Sequence, residues 1–276
     1  MGGKSTERFG NTLGWIVFHG LRIRRQVTLN NLRLAFPEKS ESERTAIGLG
    51  AYQHSAKMML EFIQMPRIDP EKFLDRFKVH NPEVFDRIQQ EDKGAFLLTG
   101  HYGNWEYYGA YLAMAGLKMA FLVKPQHNPQ TDKILNDIRR KMGAEIIPLG
   151  MAVRGVIRAV RGSRFVAIVG DQDAGRGGVF VPFFGKPAST AVGVASLAVR
   201  TGAPIVFGYS VRQPGGCYHL YAERLDLSDA PQEEDAKIRF ILEIYMLKLE
   251  AAIRLHPEQW FWMHKRWKTS PPPIDK

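Results

Sequence analysis

One stretch, residues 95–112, constrains the fold of this chain most strongly. It reads AFLLTGHYGNWEYYGAYL. The apolar run Ala95–Thr99 has the length and composition of a buried strand. Two glycines interrupt it, and from Asn104, a favourable N-cap, the aromatic and apolar residues recur at helical spacing. The pattern predicts a strand, a turn and a helix of an α/β protein, with His101 in the turn and Glu106 in the first helical turn.

The position of His101 suggests a chemistry. In open α/β sheets, ligands collect at the carboxyl ends of strands, beside helix N-termini. A histidine there can take a proton from a hydroxyl, and a carboxylate on its other ring nitrogen fixes the tautomer. Free N–H groups at the helix start can stabilise an oxyanion. If the substrate supplies the hydroxyl, these groups could carry out acyl transfer without a Ser or Cys nucleophile. The alternative is a histidine that only makes the hydrogen bonds of a turn.

Charge and cysteine content narrow the classes of partner. The 276 residues carry a net charge of +10, which favours an anionic membrane, an acidic protein or a polyanion. No nucleic-acid motif appears, and the aromatic residues cluster with apolar ones, so we expect no nucleic-acid partner. The one cysteine, Cys217, excludes an internal disulfide.

The N-terminal segment combines apolar and basic residues. Trp15 and its apolar neighbours precede an arginine cluster within residues 12–26, a composition that suits a membrane interface. The alternative is an ordinary helix packed on the domain. No stretch reaches the roughly 20 apolar residues that a membrane-spanning helix needs. We expect Met1–Thr6 to be a disordered terminus.

Periodicity predicts the other elements. Ser40 and Glu43 form a possible capping box at the start of a long helix, and Ser189 is a plausible N-cap for a later one. Strands are predicted at 77–80, 95–99, 120–123, 146–148, 165–170, 205–211 and 217–225, and helices at 40–63, 82–90, 128–142, 153–161, 191–201 and 236–256.

Two strand ends carry further candidate residues. Lys124 follows the strand at 120–123 and could bind phosphate or carboxylate, or be a solvated surface lysine. The strand at 165–170 runs into DQDAGRGG, residues 171–178. There Asp171 and Asp173 could orient an acceptor or an arginine, and Arg176 could clamp a phosphate. A tight turn with a satisfied salt bridge is the alternative.

Four stretches in the same order resemble one family. In chain order they are LNNLRLAFP (residues 29–37), GHYGNWE (100–106), VFVPFFGKPASTAVG (179–193) and PEQWFWMHKRWK (257–268). The chain from about Leu13 to Lys268 is similar to the lipid A biosynthesis (lauroyl/myristoyl) acyltransferases, which are related to the glycerolipid acyltransferases. Taken in isolation, the last stretch reads as a membrane-interface anchor, with His264 a lesser site candidate. Phe180, Phe183 and Phe184 could line an acyl slot or belong to the core.

The resemblance implies an α/β fold with a central mixed sheet, flanking helices and an N-terminal helical membrane-contact region. The expected segments are 1–36 for membrane contact, 37–270 for the acyltransferase domain and 271–276 for a disordered tail. It also implies transfer of a fatty acyl chain from acyl carrier protein (or acyl-CoA) to a hydroxyl of an anionic glycolipid, a lipid A precursor. This would occur at the cytoplasmic face of a bacterial inner membrane, with no cofactor or metal.

The resemblance also assigns roles to residues. His101 would be the general base, polarised by Glu106. Arg139, preferred over its neighbour Arg140, is the functional arginine. The expected substrate-binding residues are Asn104, Lys124, Arg139, Asp171, Asp173 and Arg176. Three alternatives stay open: an acyltransferase for another acceptor such as a phosphatidylinositol mannoside or lysophospholipid, a non-catalytic lipid-binding protein, and a hydrolase.

Overall fold

The computed structural model describes residues 3–272, so Met1, Gly2 and residues 273–276 of the predicted tail lie outside the described residues. Within residues 3–272 the chain forms an α/β domain with a central mixed sheet and flanking helices. This confirms the predicted α/β class with a central mixed sheet and flanking helices, whereas the membrane contact of the N-terminal region stays a prediction. The predicted disorder of the N-terminus was wrong for residues 3–6, because the first helix begins at Gly3.

Within residues 3–272 the main sheet has seven strands, and a separate hairpin has two. The strands are β1 (Phe77–His80), β2 (Ala95–Thr99), β3 (Met119–Val123), β4 (Glu145–Pro148), β5 (Phe165–Val169), β6 (Val179–Phe183), β7 (Lys186–Thr190), β8 (Ile205–Arg212) and β9 (Tyr218–Arg224). The main sheet runs in the order β1-β9-β8-β2-β5-β3-β4. Neighbouring strands are parallel except for β8 and β9, and β6 and β7 form the hairpin.

The helices cover both faces of the sheet. They are α1 (Gly3–Trp15), α2 (Arg25–Ala35), α3 (Glu41–Gln64), α4 (Pro70–Leu74), α5 (Glu83–Gln90), α6 (Trp105–Met114), α7 (Pro129–Lys141), α8 (Ala152–Arg161), α9 (Gly193–Thr201) and α10 (Glu234–Leu255), with a π-helical segment at Ile16–Leu21. The predicted capping box of Ser40 and Glu43 begins α3.

The central strands send alternate side chains to the two faces, as the two-residue period of a strand requires. Leu97 of β2 packs with residues of α6 on what we call the α6 face. Leu98 packs with residues of α9 and α10 on the opposite side, the α10 face. Because both faces are covered, these strands read as continuous apolar runs.

Two neighbouring strands separate at the carboxyl edge of the sheet. β5 pairs with β2 along Phe165–Val169, but its pairing with β3 stops at Phe121 opposite Ala167. β3 remains paired with β4 as far as Val123. The last residues of β3 and β5 therefore diverge, and a gap opens in the sheet beside them.

The β6–β7 hairpin was not predicted. The strands between Val179 and Thr190 pair in antiparallel register around Phe184 and Gly185. Ser189 lies within β7 and donates to the Gly175 carbonyl at 2.6 Å. The prediction that Ser189 caps the next helix was therefore wrong: α9 begins at Gly193, preceded by Val192 without a side-chain cap.

The C-terminal aromatic and basic run lies inside the domain. Trp262 and Arg266 are fully buried and Trp260 is nearly so. Arg266 donates to the Ser189 carbonyl at 2.5 Å. The interpretation of this run as a membrane-interface anchor is therefore wrong, because its side chains pack between the sheet and the hairpin. Phe183 and Phe184 belong to the same core.

The N-terminal helices are closely attached to the domain yet expose apolar side chains. α1 lies against α3, and a Cβ on Gly14 would come within 2.5 Å of the Gln53 backbone. Trp15 and Leu21 are nevertheless 53% and 63% exposed, beside the basic residues that follow. Within residues 3–272, no helix is both long and apolar enough to cross a membrane.

A buried polar network holds the turn after β2. His54 of α3 lies 2.9 Å from the Gly103 carbonyl, and Asn104 N–H donates to Ser210 Oγ at 3.0 Å. The Asn104 amide also contacts Glu61 of α3 at 3.3 Å. Burial lowers the pKa of His54 from 6.5 to about 4, so the ring is neutral in the folded protein at neutral pH.

This burial predicts a pH dependence of stability. Since the pKa of His54 is lower in the folded protein, the unfolded chain binds more protons as the pH falls from 6.5 towards about 4. The free energy of unfolding should decrease by about 2 kcal/mol between about pH 7.5 and pH 5 through this group alone. In His54→Gln, which replaces the ring N–H donor by an amide N–H donor, this pH-dependent part of the free energy of unfolding should vanish. Urea unfolding of both proteins at the two pH values measures it, and a wild-type-minus-variant difference that stays constant with pH would contradict it.

Candidate active site

The turn between β2 and α6 places His101 at the carboxyl edge of the sheet, beside the gap between β3 and β5. Gly103 has φ +60°, and a Cβ there would lie 1.7 Å from the Ser210 carbonyl oxygen, so only glycine fits. The C-terminal segment pairs with this turn: Gly103 N–H donates to Gln259 at 2.9 Å, and Phe261 N–H donates to the His101 carbonyl at 3.0 Å.

The carboxylate partner of His101 is Asp171. His101 Nδ1 lies 2.6 Å from Asp171 Oδ1, and the backbone N–H of His101 donates to Oδ2 at 2.9 Å. Trp260 Nε1 donates to the same Oδ2 at 2.7 Å. Burial raises the pKa of the Asp171 carboxyl, but the His101 charge and these hydrogen bonds outweigh it, and the pKa lies below its ordinary value. The ionised Asp171 fixes the proton of His101 on Nδ1.

The other ring nitrogen of His101 faces a cavity. Gln172 Nε2 lies 3.4 Å from His101 Nε2. Because an amide nitrogen only donates, this contact fits a ring whose Nε2 carries a lone pair. The Trp105 ring packs edge-on against the imidazole at 4.8 Å between centroids. His101 Nε2 is therefore oriented to accept a proton from a group in the cavity.

Glu106 contacts Arg139 and not His101. Arg139 Nε donates to Glu106 Oε2 at 3.0 Å and Nη2 donates to Oε1 at 2.5 Å. Arg139 Nη1 also donates to Asn136 at 3.0 Å. The structure does not confirm the expectation that Glu106 polarises His101: helix α6 turns Glu106 towards Arg139 of α7, and the carboxylate that contacts the imidazole is Asp171. The pair Glu106–Arg139 nevertheless lies on the wall of the same cavity.

The cavity has a volume of about 800 Å³ and reaches both faces of the sheet. Leu97, Tyr108 and Phe121 line it on the α6 face, and Leu98, Val194 and Leu242 line it on the α10 face. It passes the diverging ends of β3 and β5, which contribute residues 121–123 and 167–170. Its walls are mostly apolar, and its charged and titratable groups lie near His101 and at the exposed rim.

The remaining predicted site residues lie at different places in the structure, and not all of them line the cavity. Lys124 lies on the exposed rim of the cavity. Asn104 is fully buried and caps α6 by accepting from Tyr107 N–H at 3.0 Å. Asp173 accepts from Thr269 Oγ1 at 2.9 Å and does not line this cavity. Arg176 is exposed and does not line the cavity either.

Sequence reasoning missed several residues of the site. Gln172 and Trp260 touch the His101–Asp171 pair directly, and Thr99 lines the cavity beside it. His264, a lesser candidate, accepts at Nε2 from the backbone of Asp173 at 3.0 Å. The sequence feature that could have indicated Gln172 is its position between two aspartates. No sequence feature indicated that Trp260 contacts Asp171. Within residues 3–272, no group of three or more His, Cys, Asp or Glu side chains is arranged to hold a metal ion.

Comparisons with known proteins identify the family of the chain. The family model of the bacterial lipid A biosynthesis acyltransferases matches residues 1–269. The chain is 29% identical over 269 residues to the lipid A biosynthesis lauroyltransferase of Escherichia coli K12, covering 96% of this chain and 85% of the relative. It is 26% identical over 256 residues to lipid A biosynthesis acyltransferase 2 of Shigella flexneri, covering 92% and 81%. It is also 27% identical over 217 residues to a phosphatidylinositol mannoside acyltransferase of Mycobacterium tuberculosis H37Rv, covering 75% and 66%. The chain therefore belongs to the bacterial lipid A biosynthesis acyltransferase family and is an O-acyltransferase.

Proposed function

We propose that the protein transfers a fatty acyl chain from an acyl thioester to a hydroxyl of a lipid A precursor, with His101 as the general base. The observation that carries this proposal is the His101–Asp171 pair, joined at 2.6 Å, at the mouth of a largely apolar cavity of about 800 Å³. The pair supplies the base, and the cavity offers apolar surface to an aliphatic chain. Membership of the acyltransferase family supports the same reaction.

The reaction needs one base and no covalent enzyme intermediate. The acceptor hydroxyl displaces the Gln172 amide from His101 Nε2 and gives up its proton there. The hydroxyl oxygen then forms a bond to the thioester carbon, and the carbonyl electron pair moves to oxygen. When the tetrahedral intermediate collapses, the carbon–sulfur bond breaks, and the departing thiolate takes the proton back from Nε2. Asp171 stabilises the imidazolium in between.

The Glu106–Arg139 pair suits the anionic part of the acceptor. A guanidinium has five N–H donors, and the contacts with Glu106 and Asn136 use three of them. Two donors remain on a side chain that lines the cavity. We assign them to a phosphate of the glycolipid, with Glu106 holding Arg139 in position and Lys124 adding charge at the rim. Arg176, which is exposed and lies outside the cavity lining, remains a further candidate for binding a phosphate.

The proposal for the acyl donor rests on the positive charge near the mouth of the cavity. Arg154, Arg158 and Arg161 recur at helical spacing on α8 and are exposed, and within the described residues none of them forms an ion pair. Leu149 and Val153, also exposed, line the adjoining mouth of the cavity. An acidic acyl carrier protein fits such a basic rim, and acyl-CoA, with its phosphates, is the alternative donor.

A second acceptor class has its own support. One relative carries the name phosphatidylinositol mannoside acyltransferase, and that acceptor is also an anionic glycolipid. The residues assigned here recognise a hydroxyl, a phosphate and aliphatic chains, which both acceptors provide. Parallel assays with the two acceptors distinguish these alternatives.

We place the protein at the cytoplasmic face of a bacterial inner membrane. The exposed apolar residues of the N-terminal segment share a surface with basic residues; they are Phe9, Leu13, Trp15, Ile16, Leu21 and Ile23. Aromatic and aliphatic side chains next to arginines are typical of a membrane-interface contact. Such a contact brings the lipid acceptor to the enzyme.

Two substitutions test the catalytic pair. His101→Ala should lower kcat by about 10²- to 10⁴-fold because the base is lost. Asp171→Asn should lower it by about as much, because the Asn amide forces the ring proton onto Nε2. Purified proteins are assayed with a labelled acyl carrier protein thioester and a tetra-acylated lipid A precursor, with product detected by mass. Asp137→Asn, at an exposed carboxylate on α7, is the control and should retain full activity.

The outcomes separate the parts of the proposal. Turnover that survives in His101→Ala removes this residue from the mechanism. A wild-type protein that is folded but inactive with the lipid A precursor, and active with a phosphatidylinositol mannoside, shifts the acceptor. Release of free fatty acid without any acceptor indicates a hydrolase.

The roles of Glu106 and Arg139 are tested by kinetics. Arg139→Lys and Glu106→Gln should each raise KM for the phosphorylated acceptor by about tenfold and change kcat little, because they weaken binding of the phosphate. The effect should shrink with a dephosphorylated acceptor. If Glu106→Gln instead abolishes kcat at unchanged KM, Glu106 acts on the reacting atoms, as the sequence motif suggested.

The membrane contact is tested with lipid vesicles. Replacing Trp15 and Leu21 together by Gln removes apolar surface from the interface and should weaken binding to anionic vesicles by tenfold or more. Leu255→Gln, at a still more exposed position on α10, is the control and should bind as the wild type does. Cosedimentation measures both, and equal binding of the two variants would show that the N-terminal segment does not contact lipid.

A further inference from the structure

The hydroxyl of Thr99 is buried without a hydrogen-bond partner. Thr99 ends β2, is 3% exposed and lines the cavity. Within residues 3–272 no group forms a hydrogen bond with Thr99 Oγ1. Its backbone carbonyl, by contrast, accepts from Gly170 N–H at 3.1 Å and from the Tyr245 hydroxyl at 2.8 Å. The main chain of Thr99 is therefore satisfied and fixed, and only the side-chain hydroxyl is not.

An unpartnered buried hydroxyl destabilises the free protein, so a structural role does not explain it. Valine has nearly the same shape and equal preference for strands, and it would fill this position without that cost. Among the described residues that line the cavity, Thr99 alone has a buried polar side-chain atom without a partner. A ligand in the cavity is what would satisfy the hydroxyl.

The position of Thr99 indicates which part of a ligand it would meet. Thr99 precedes His101 by two residues, which limits the distance between their Cα atoms to about 7 Å. Its side chain follows Leu97 in the two-residue period of β2 and so points to the α6 face, where Glu106 and Arg139 also lie. Asp171 and Gln172, which contact His101, already have partners, and the two unused N–H donors of Arg139 are assigned above to the phosphate of the acceptor.

We propose that the Thr99 hydroxyl donates a hydrogen bond to the carbonyl oxygen of the acyl thioester. This inference rests on the proposed function. When the acceptor oxygen attacks, negative charge develops on that carbonyl oxygen, and a fixed donor in a water-poor site stabilises it most at that moment. Thr99 then supplies the oxyanion contact, while His101 on the same turn handles the proton. The hydroxyl gains its missing partner only when substrate is bound.

Thr99→Val removes the hydroxyl and keeps the shape, so it separates a catalytic role from a structural one. The kcat should fall by about hundredfold, the KM for the acyl donor should rise only a few-fold, and the KM for the acceptor should not change. The thermal unfolding midpoint should stay within about 1 °C of the wild-type value or rise, because no hydrogen bond of the free protein is lost. Thr99→Ser, which keeps a hydroxyl, should recover most of the activity.

A control variant shows how much the unfolding midpoint falls when a buried threonine hydroxyl that does have hydrogen-bond partners is removed. Thr190 is equally buried, but its hydroxyl donates to Ala188 and accepts from Arg266 at 2.6 Å. Thr190→Val should therefore lower the unfolding midpoint clearly. If Thr99→Val lowers it as much, the hydroxyl serves the fold and the proposal fails. The proposal also fails if Thr99→Val retains kcat within twofold, or if only the KM for the acceptor changes.

A binding measurement keeps this test independent of turnover. An analogue of the acyl donor with a methylene in place of sulfur keeps the carbonyl and cannot transfer the chain. It should bind the wild type at least threefold more tightly than Thr99→Val, and equal affinity overturns the proposal. An inactive wild-type protein that still shows this difference would refute the proposed reaction and leave the Thr99 contact standing.

Discussion

The site depends on one buried carboxylate. Asp171 receives hydrogen bonds from the backbone and side chain of His101 and from Trp260. An ionised carboxylate in the interior costs several kcal/mol unless it is paired, and hydrogen bonds to a charged group return about 1.5–3 kcal/mol each. These bonds join the turn after β2, the end of β5 and the C-terminal segment, so the element that fixes the proton on His101 also holds three distant parts of the chain together.

The same arrangement explains why the cavity is where it is. β2 and β5 stay paired to their ends because Asp171, just beyond β5, is bonded to the turn just beyond β2. β3 follows β4 instead and separates from β5 after Phe121. The gap therefore opens on the β3 side of β5, where no hydrogen bond from the buried carboxylate holds the strand ends together. The apolar space lies next to His101 as a consequence of strand pairing.

Local features of the fold could be predicted from the sequence, and long-range contacts could not. The strand at 95–99, the capping box of α3 and the turn around His101 depend on neighbouring residues, and each is where the pattern placed it. The partner of His101 lies 70 residues away and that of Asp171 lies 89 residues away. Periodicity carries no information on such distances. The tryptophans of the C-terminal run were assigned to a membrane because their burial depends on the hairpin, which was not predicted.

The spacing of His101 and Glu106 has a physical reason even though they do not touch. Four residues between them carry the chain across the turn and into the first turn of α6, where the helix dipole favours a carboxylate. From there Glu106 reaches Arg139 on α7 and holds it on the cavity wall. The motif thus places the proposed base His101 and the carboxylate that anchors Arg139 on one short segment, and His101 and Arg139 both line the cavity. A substrate that presents a hydroxyl near a phosphate would meet both, which is the chemistry of a phosphorylated glycolipid.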